Sequence, residues 1–339
     1  MGCMNSHSSH SPAPTPNFAD LSPDLVLDAL DAVGVRGDGR LLALNSYENR
    51  VYQVGLDEGP PVVAKFYRPA RWSEAQILEE HGFVESLVEQ EIPVVPALAL
   101  ADGRTLHTFK GFRFSVFERH GGRAPELEQA GTLEWLGRFI GRIHSVGALH
   151  PFVERPALDI ATFGKASHDY LHAHECVPLE LRSAYFSVLA QALDGVRHCF
   201  DRAGDIPSIR LHGDCHCSNV LWTDAGPHFV DFDDSRSGPP IQDLWMLLSG
   251  ERADRVRQLG DLLAGYEDFQ EFEPRSLHLI EGLRTLRLVH YSAWLARRWD
   301  DPAFPVAFPW FNTARYWQDR ILELREQVAL MDEAPLWPS

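Results

Sequence analysis

The chain is poor in cysteine, in positive charge and in long apolar runs. Its 339 residues include 5 Cys, an odd number without a regular framework, which fits a reducing cytosol better than a disulfide-stapled secreted fold. Lys and Arg number 31 against 48 Asp and Glu, a formal net charge of −17. That sign argues against nucleic acid and anionic membrane as main partners. A small anionic ligand remains admissible, because a local basic site outweighs a distant field screened by salt. No apolar run approaches the length needed to span a bilayer, and no cationic, apolar secretory segment opens the chain. A cytoplasmic monomer is the expectation.

Met1-Gly2-Cys3-Met4-Asn5-Ser6 matches the myristoylation pattern, with Cys3 as a second lipid site. The pattern is short and permissive, and the preferred reading is a flexible Ser/His/Pro tail. Hydrophobic content of 45% and charged content of 23% describe an ordinary globular chain, long enough for one large domain or two lobes.

Regular structure is predicted to begin at Ser22-Pro23-Asp24, an N-cap with Pro at the first helical position. Val26, Ala29, Leu30 and Val33 follow at helical spacing, and Gly34 supplies a stop. Three strands are expected next, over residues 40–44, 50–56 and 62–67. Ser73-Glu74-Ala75-Gln76 reads as a capping box opening a helix whose inward stripe is Ile77, Val84, Leu87 and Val88. Residues 92–96 end that helix and lead into a strand, Asp102-Gly103 marks a hairpin, and residues 112–117 form the fifth strand. Everything after Gly122 looks mainly helical, with helices over 132–144, 179–200, 283–299 and 313–331. In the first of these, Gly137 and Gly141 allow close packing, and His144 reads as a core or helix-end histidine.

One polar stretch carries the chemistry. His212-Gly213-Asp214-Cys215-His216-Cys217-Ser218-Asn219 runs into the apolar Val220-Leu221-Trp222, and after an Asp224-Ala225-Gly226 turn the strand Phe229-Val230 ends at Asp231. A hairpin of the two strands brings Asn219 and Asp231 to one edge. Phosphoryl transfer from ATP needs this inventory: a carboxylate to take the acceptor's proton, then an Asn and an Asp to hold Mg²⁺ against the triphosphate. The competing reading is a Zn²⁺ site from His212, Asp214, Cys215, His216 and Cys217. These ligands are too tightly spaced for an ordinary tetrahedral site, and no second Cys-x-x-Cys lies nearby. His212 and His216 are read instead as bracing the loop by hydrogen bonds.

The pattern His-Gly-Asp-x-His-x-x-Asn followed by Val-Asp-Phe-Asp resembles the catalytic core of the aminoglycoside phosphotransferase and choline kinase superfamily, relatives of the protein kinases. The wider run through Gly238-Pro239-Pro240-Ile241-Gln242-Asp243-Leu244-Trp245 resembles one branch, the bacterial stress response kinase A family, whose members are similar to Ser/Thr protein kinases. The resemblance spans roughly residues 18–317. It implies a two-lobed, protein-kinase-like α+β fold: a flexible tail to residue 17, an antiparallel sheet plus helix over 18–119, and a mostly helical lobe over 120–339. It also implies ATP and Mg²⁺ as cofactors and protein hydroxyls as acceptors. The runner-up acceptor is a small-molecule alcohol of the aminoglycoside, choline or amino-alcohol type. A non-enzymatic nucleotide-binding regulator is a third reading. The chain's acidity hints weakly at cationic acceptors.

By that resemblance Asp214 is the catalytic base, and Asn219 with Asp231 holds the metal. Asp233 is either near a second metal or a solvated turn charge. Asp243 braces the catalytic loop together with His212. On the nucleotide side the implied residues are Lys65 on the third strand, Glu80 as its partner, and the backbone of Val116, Phe117 and Glu118 against adenine. Glu80 lies on the inward helix face, whereas Glu79 points away and reads as a solvated charge. The turn Asn45-Ser46-Tyr47-Glu48-Asn49 stands where kinases cover the phosphates, without a Gly-x-Gly-x-x-Gly. Ser46 is its candidate phosphate contact, or simply a turn residue. Tyr291, Trp294, Trp310 and Phe311 either wall the acceptor cleft or belong to the core. Residues 232–242 leave no room for a long activation segment.

Overall fold

The computed structural model describes residues 16–337, so the lipidation pattern at Gly2 and Cys3 lies outside the described residues. The chain divides into two units, residues up to 73 with 98–117, and residues 74–97 with 118 onward.

In the first unit, Ser22 accepts a hydrogen bond from the Leu25 N–H at 3.2 Å and Pro23 follows at the first helical position, opening α1 (Pro23–Asp31). Strands β1 (Gly37–Ala43), β2 (Arg50–Leu56), β3 (Val62–Phe66), β4 (His107–Phe109) and β5 (Phe112–Glu118) form one sheet in the order β1-β2-β3-β5-β4. The β1–β2, β2–β3 and β4–β5 pairs are antiparallel. Strand β1 starts three residues before its predicted position, and its register shifts between Gly37 and Leu41. Val26, Ala29 and Leu30 of α1 share a core with Val54, Ala64, Phe66 and Phe114, and the last two rings stack at 5.1 Å.

The second unit begins with α2 (Glu74–Glu89) and holds α3 (Thr132–Gly147), α4 (Ala166–Ala173) and α5 (Leu179–Ala203). Four short strands follow, β6 (Ile209–Leu211), β7 (Val220–Thr223), β8 (Gly226–Phe229) and β9 (Arg236–Gly238). Helices α6 (Ile241–Trp245), α7 (Arg252–Tyr266), α8 (Ile280–Arg297), α9 (Ala303–Ala307) and α10 (Ala314–Met331) complete it. Helix α2, expected with the sheet, groups with this second unit. The reason is its apolar face: Phe83, Val84 and Leu87 join the second core, with Phe83 edge-on to Phe152 at 5.5 Å and to Phe232 at 6.1 Å. Val88, read as part of that face, is exposed.

Helices α3 and α7 meet at backbone level. A Cβ on Gly137 would lie 2.0 Å from the Leu262 carbonyl oxygen, and one on Gly265 would lie 1.9 Å from that of Glu134. Only hydrogen fits between them. Phe311 is buried against Trp299, Tyr316 and Trp317, so it is a core residue and not part of a cleft wall. Trp310 is exposed, and Tyr291 and Trp294 are half-buried. No helix among the described residues is long and apolar enough to cross a membrane.

Candidate active site

Two short ladders place the polar stretch. Strands β6 and β9 pair with Leu211 opposite Arg236, so the chain leaving β6 enters His212-Gly213-Asp214 beside the segment that follows Asp231. Strands β7 and β8 pair with Val220 opposite Phe229, and the Val230 N–H donates to the Asn219 carbonyl at 3.0 Å. Asn219 and Asp231 therefore sit at the same end of one hairpin. Gly213 has φ +84, and a Cβ there would lie 2.3 Å from the Asp234 carbonyl oxygen. Glycine is what lets the loop lie against the segment after Asp231.

Asp243 holds this loop from below. Its Oδ2 accepts the His212 N–H at 2.8 Å and its Oδ1 the Gly213 N–H at 2.9 Å. The fully buried His144 lies 3.1 Å from Asp243 through Nε2 and 3.0 Å from the Tyr266 hydroxyl through Nδ1. Burial first, and then the Asp243 charge, push the Tyr266 hydroxyl far above its usual range, which keeps it neutral. Gln242 adds an amide donor to the Gly213 carbonyl at 3.3 Å. The His212 ring spans the loop: Nδ1 accepts the Asp214 N–H at 3.3 Å, which leaves Nε2 to donate to the Val230 carbonyl at 3.0 Å.

Asp214 is half-buried above this frame. Its carbonyl accepts the Asn219 side-chain amide at 3.0 Å. Its Oδ1 is 2.6 Å from Nη2 of Arg287 on α8, and its Oδ2 is 3.4 Å from Nε2 of His216. Burial and the Asp234 charge raise the carboxyl's proton affinity, yet the His216 contact and the Arg287 guanidinium outweigh them and hold it below the usual carboxylate range. The group is held as an anion.

Asn219 and Asp231 suit a hard divalent cation. With its amide N–H committed to Asp214, Asn219 has its oxygen left as ligand, and Asp231 is a solvent-exposed carboxylate. Two protein oxygens, completed by phosphate and water, are what Mg²⁺ takes. Asp231 adopts a left-handed conformation, φ 61 and ψ 60, which Asp tolerates better than most residues. The chain then turns so that Phe232 packs on His212 at 4.4 Å. Asp233 is buried, which removes its reading as a solvated charge. A transition-metal site is not formed: no group of three or more His, Cys, Asp or Glu gathers to hold an ion among the described residues. The Cys215 thiol is pushed well above its usual range by burial and then by the charges of Asp243 and Asp214, the reverse of what a thiolate ligand needs.

The nucleotide-side candidates are distributed over the two units. In the first, Lys65 is buried in β3 opposite Val51 of β2, with Nζ 5.4 Å above the Tyr67 ring. Ser46 is half-buried in the β1–β2 loop. Arg68 pins that loop by donating to the Glu48 carbonyl at 2.9 Å and the Tyr47 carbonyl at 3.0 Å, and Asn49 Oδ1 accepts the Arg68 N–H at 3.1 Å. Polar anchoring here stands where glycines serve in other kinases. Val116 is buried, its carbonyl accepting the Leu98 N–H at 2.7 Å, and Phe117 is half-buried. In the second unit, Glu118 has an exposed side chain 3.5 Å from His120. Glu80 is buried with Oε2 3.4 Å from Arg155.

Three functional features escaped the sequence reading. Arg287 touches the proposed base from 73 positions away, and nothing in its helical context marks it. Arg155, with a fully buried side chain, donates to the carbonyls of Gln76, Asp233 and Ser235 as well as reaching Glu80. Glu79, read as solvated, accepts the N–H groups of Val153, Glu154 and Arg155 at 2.5, 3.0 and 2.8 Å. The clue was present in that a carboxylate one position from a buried face has main chain within its reach.

A five-stranded antiparallel sheet, a helical remainder, and a loop and hairpin end that carry Asp214, Asn219 and Asp231 are the features of a phosphotransferase-type kinase. The profile of the phosphotransferase enzyme family matches residues 40–280. Over 319 residues, 94% of this chain and 96% of the relative, the sequence is 43% identical to stress response kinase A of Escherichia coli (strain K12) and of Salmonella choleraesuis (strain SC-B67). The same identity and coverage hold for the serine/threonine protein kinase RdoA of Salmonella typhimurium (strain LT2). The chain belongs to the stress response kinase A branch of the phosphotransferase enzyme family. Among solved structures it resembles an amicoumacin kinase, at 19% identity and TM-score 0.72 over 95% of this chain and 96% of that one. It also resembles a microcompartment-associated aminopropanol kinase, at 18% identity and TM-score 0.67 over 91% and 96%. These two share the fold.

Proposed function

We propose that this chain is an ATP- and Mg²⁺-dependent serine/threonine protein kinase acting in a bacterial stress response, as a cytoplasmic monomer. The observation that carries the reading is the convergence of Asp214, Asn219 and Asp231 on one loop and hairpin end, with Asp214 held as an anion. In the transfer, the acceptor hydroxyl attacks the γ-phosphorus, the bond to the β,γ-bridging oxygen breaks, and ADP leaves. Asp214 takes the hydroxyl proton late, as charge builds on the attacking oxygen. Asn219 and Asp231 are the Mg²⁺ ligands; the ion, when bound, neutralises charge developing on the β- and γ-phosphates. Lys65 is assigned to the phosphates, Ser46 to the covering loop, and the backbone from Val116 to Glu118 to the adenine, with Glu80 as the helical carboxylate of the set.

Support for a protein acceptor comes from the relatives, one of which carries the name serine/threonine protein kinase at 43% identity over nearly its whole length. Neighbours named for small-molecule substrates are below 20% identity and bear on the fold alone. The acceptor is decided by incubation with γ-labelled ATP and Mg²⁺. Label on Ser or Thr of the enzyme itself or of a generic protein substrate is the expected result. Label confined to a small alcohol establishes the runner-up, and nucleotide binding without turnover establishes a regulator.

A further inference from the structure

The charge nearest the proposed base is positive, although the chain as a whole carries −17. Arg287 reaches Asp214 with one Nη at 2.6 Å, and its side chain is 40% exposed against 21% for Asp214. A guanidinium presents five N–H donors in a fixed fork. Among the described residues this is its one ion pair, and with its side chain 40% exposed the guanidinium keeps donors accessible to solvent. The helix continues the same face at three- and four-residue steps. Tyr291 and Trp294 stack at 5.6 Å with 14° between their planes, and the Arg298 guanidinium lies 5.2 Å over Trp294. Residues 284, 287, 291, 294 and 298 include no carboxylate and are all half-buried. Arg284 lies over Trp245 at 5.2 Å and is 3.4 Å from Glu281, a carboxylate that Arg255 also reaches at 3.1 Å. Of the arginines on this face, Arg287 is the one in contact with Asp214.

We propose that Arg287 is a specificity-determining residue that selects hydroxyls flanked by negative charge, a Ser or Thr beside acidic residues, and discriminates against hydroxyls flanked by an ammonium group. This role depends on Asp214 being the base at the acceptor, as in the protein-kinase reading. A hydroxyl within hydrogen-bond reach of Asp214 carries its neighbouring substituents to within a few ångströms of the guanidinium. At such range a full charge of either sign changes binding by on the order of tenfold or more, even with partial solvent screening. Choline-like and aminoglycoside acceptors bring the wrong sign. The local field reverses the expectation of cationic acceptors drawn from net charge, because net charge acts from afar and is screened while Arg287 acts in contact.

The test uses two serine peptides that differ only in Asp or Lys on each side of the serine, with wild type, Arg287→Gln and Arg287→Glu. Wild type is expected to favour the acidic peptide by about tenfold or more in kcat/KM. The Gln variant brings the ratio towards one and the Glu variant inverts it, while ATP affinity stays within about twofold in all three. A wild-type ratio near one overturns the proposal. So does a ratio unchanged in the variants, even if both rates fall together, since that marks a structural role. If label enters small alcohols and no peptide, the protein-kinase reading fails by itself, and the charge preference is read on 3-hydroxypropionate against 3-aminopropanol. Preference for the carboxylate then sustains Arg287's role, and preference for the amine ends it.

Discussion

At Asp214 burial and three neighbours compete over one proton. Burial and Asp234 favour the neutral acid, whereas His216 and Arg287 favour the anion and prevail. A base whose pKa is lowered stays ionised as pH falls until its own depressed value is reached, so Asp214 contributes an acid limb of kcat/KM only below the usual carboxylate range. Replacing His216 with Ala removes one of the two contacts that oppose burial, and the limb then moves to higher pH. Profiles of wild type and His216→Ala carried down to about pH 3, through the carboxylate range, check this; superimposable profiles would remove His216 from the account. The side chains of this site were partly legible beforehand. Asp214, Asn219 and Asp231 were named because their spacing is local and their ligand chemistry is specific, and so was Asp243 at the start of α6. Arg287, Arg155 and Gln242 were not, because their partners are far away in sequence. Exposure is what periodicity alone cannot assign.

Between elements, the segment around Arg155 joins α2 to the turn after Asp231. Glu79 receives three backbone N–H groups of the segment, and Arg155 returns hydrogen bonds to Gln76, Asp233 and Ser235. In Arg155→Met three carbonyls lose a charged donor and Glu80 loses a buried cation. The expected loss of stability is about 3–5 kcal/mol by urea titration, the usual result of removing one partner from a buried ionic network. A loss below about 1 kcal/mol would show that water or rearrangement replaces the guanidinium. Most elements were visible in the periodicity: β2 falls on its predicted residues, and Thr313 caps α10 by accepting the Tyr316 N–H at 3.2 Å. The departures have simple causes. Strand β1 begins early because pairing with β2 carries it past its apolar residues, and α2 shows few hydrophobic positions because part of its buried face is Glu80 and His81.

Over the whole molecule there are two separate cores, and each draws on two stretches of chain. The turn from Asp231 to Asp243 carries two hydroxyls, Ser235 and Ser237. Ser235 is buried with no exposed surface, and Ser237 is a residue of β9 paired with Arg210 of β6. A phosphoryl group on Ser235 has no room without local unfolding, and so short a turn holds no long segment for one on Ser237 to reorder, so activity should not depend on phosphorylation there. Phosphatase-treated and untreated enzyme are expected to have the same kcat, and abolition of activity would contradict this. The large acidic excess was readable at once, but it says nothing of which charge stands beside Asp214, where Arg287 lies at 2.6 Å.

The central claim is that Asp214 is the proton acceptor in transfer of the γ-phosphoryl group. Asp214→Asn keeps the size of the side chain and removes its basicity and charge. With saturating ATP and Mg²⁺, its rate of transfer should fall by about 10²–10⁴-fold while nucleotide affinity stays close to that of wild type. Turnover equal to that of wild type, at the same bound nucleotide, would contradict the assignment.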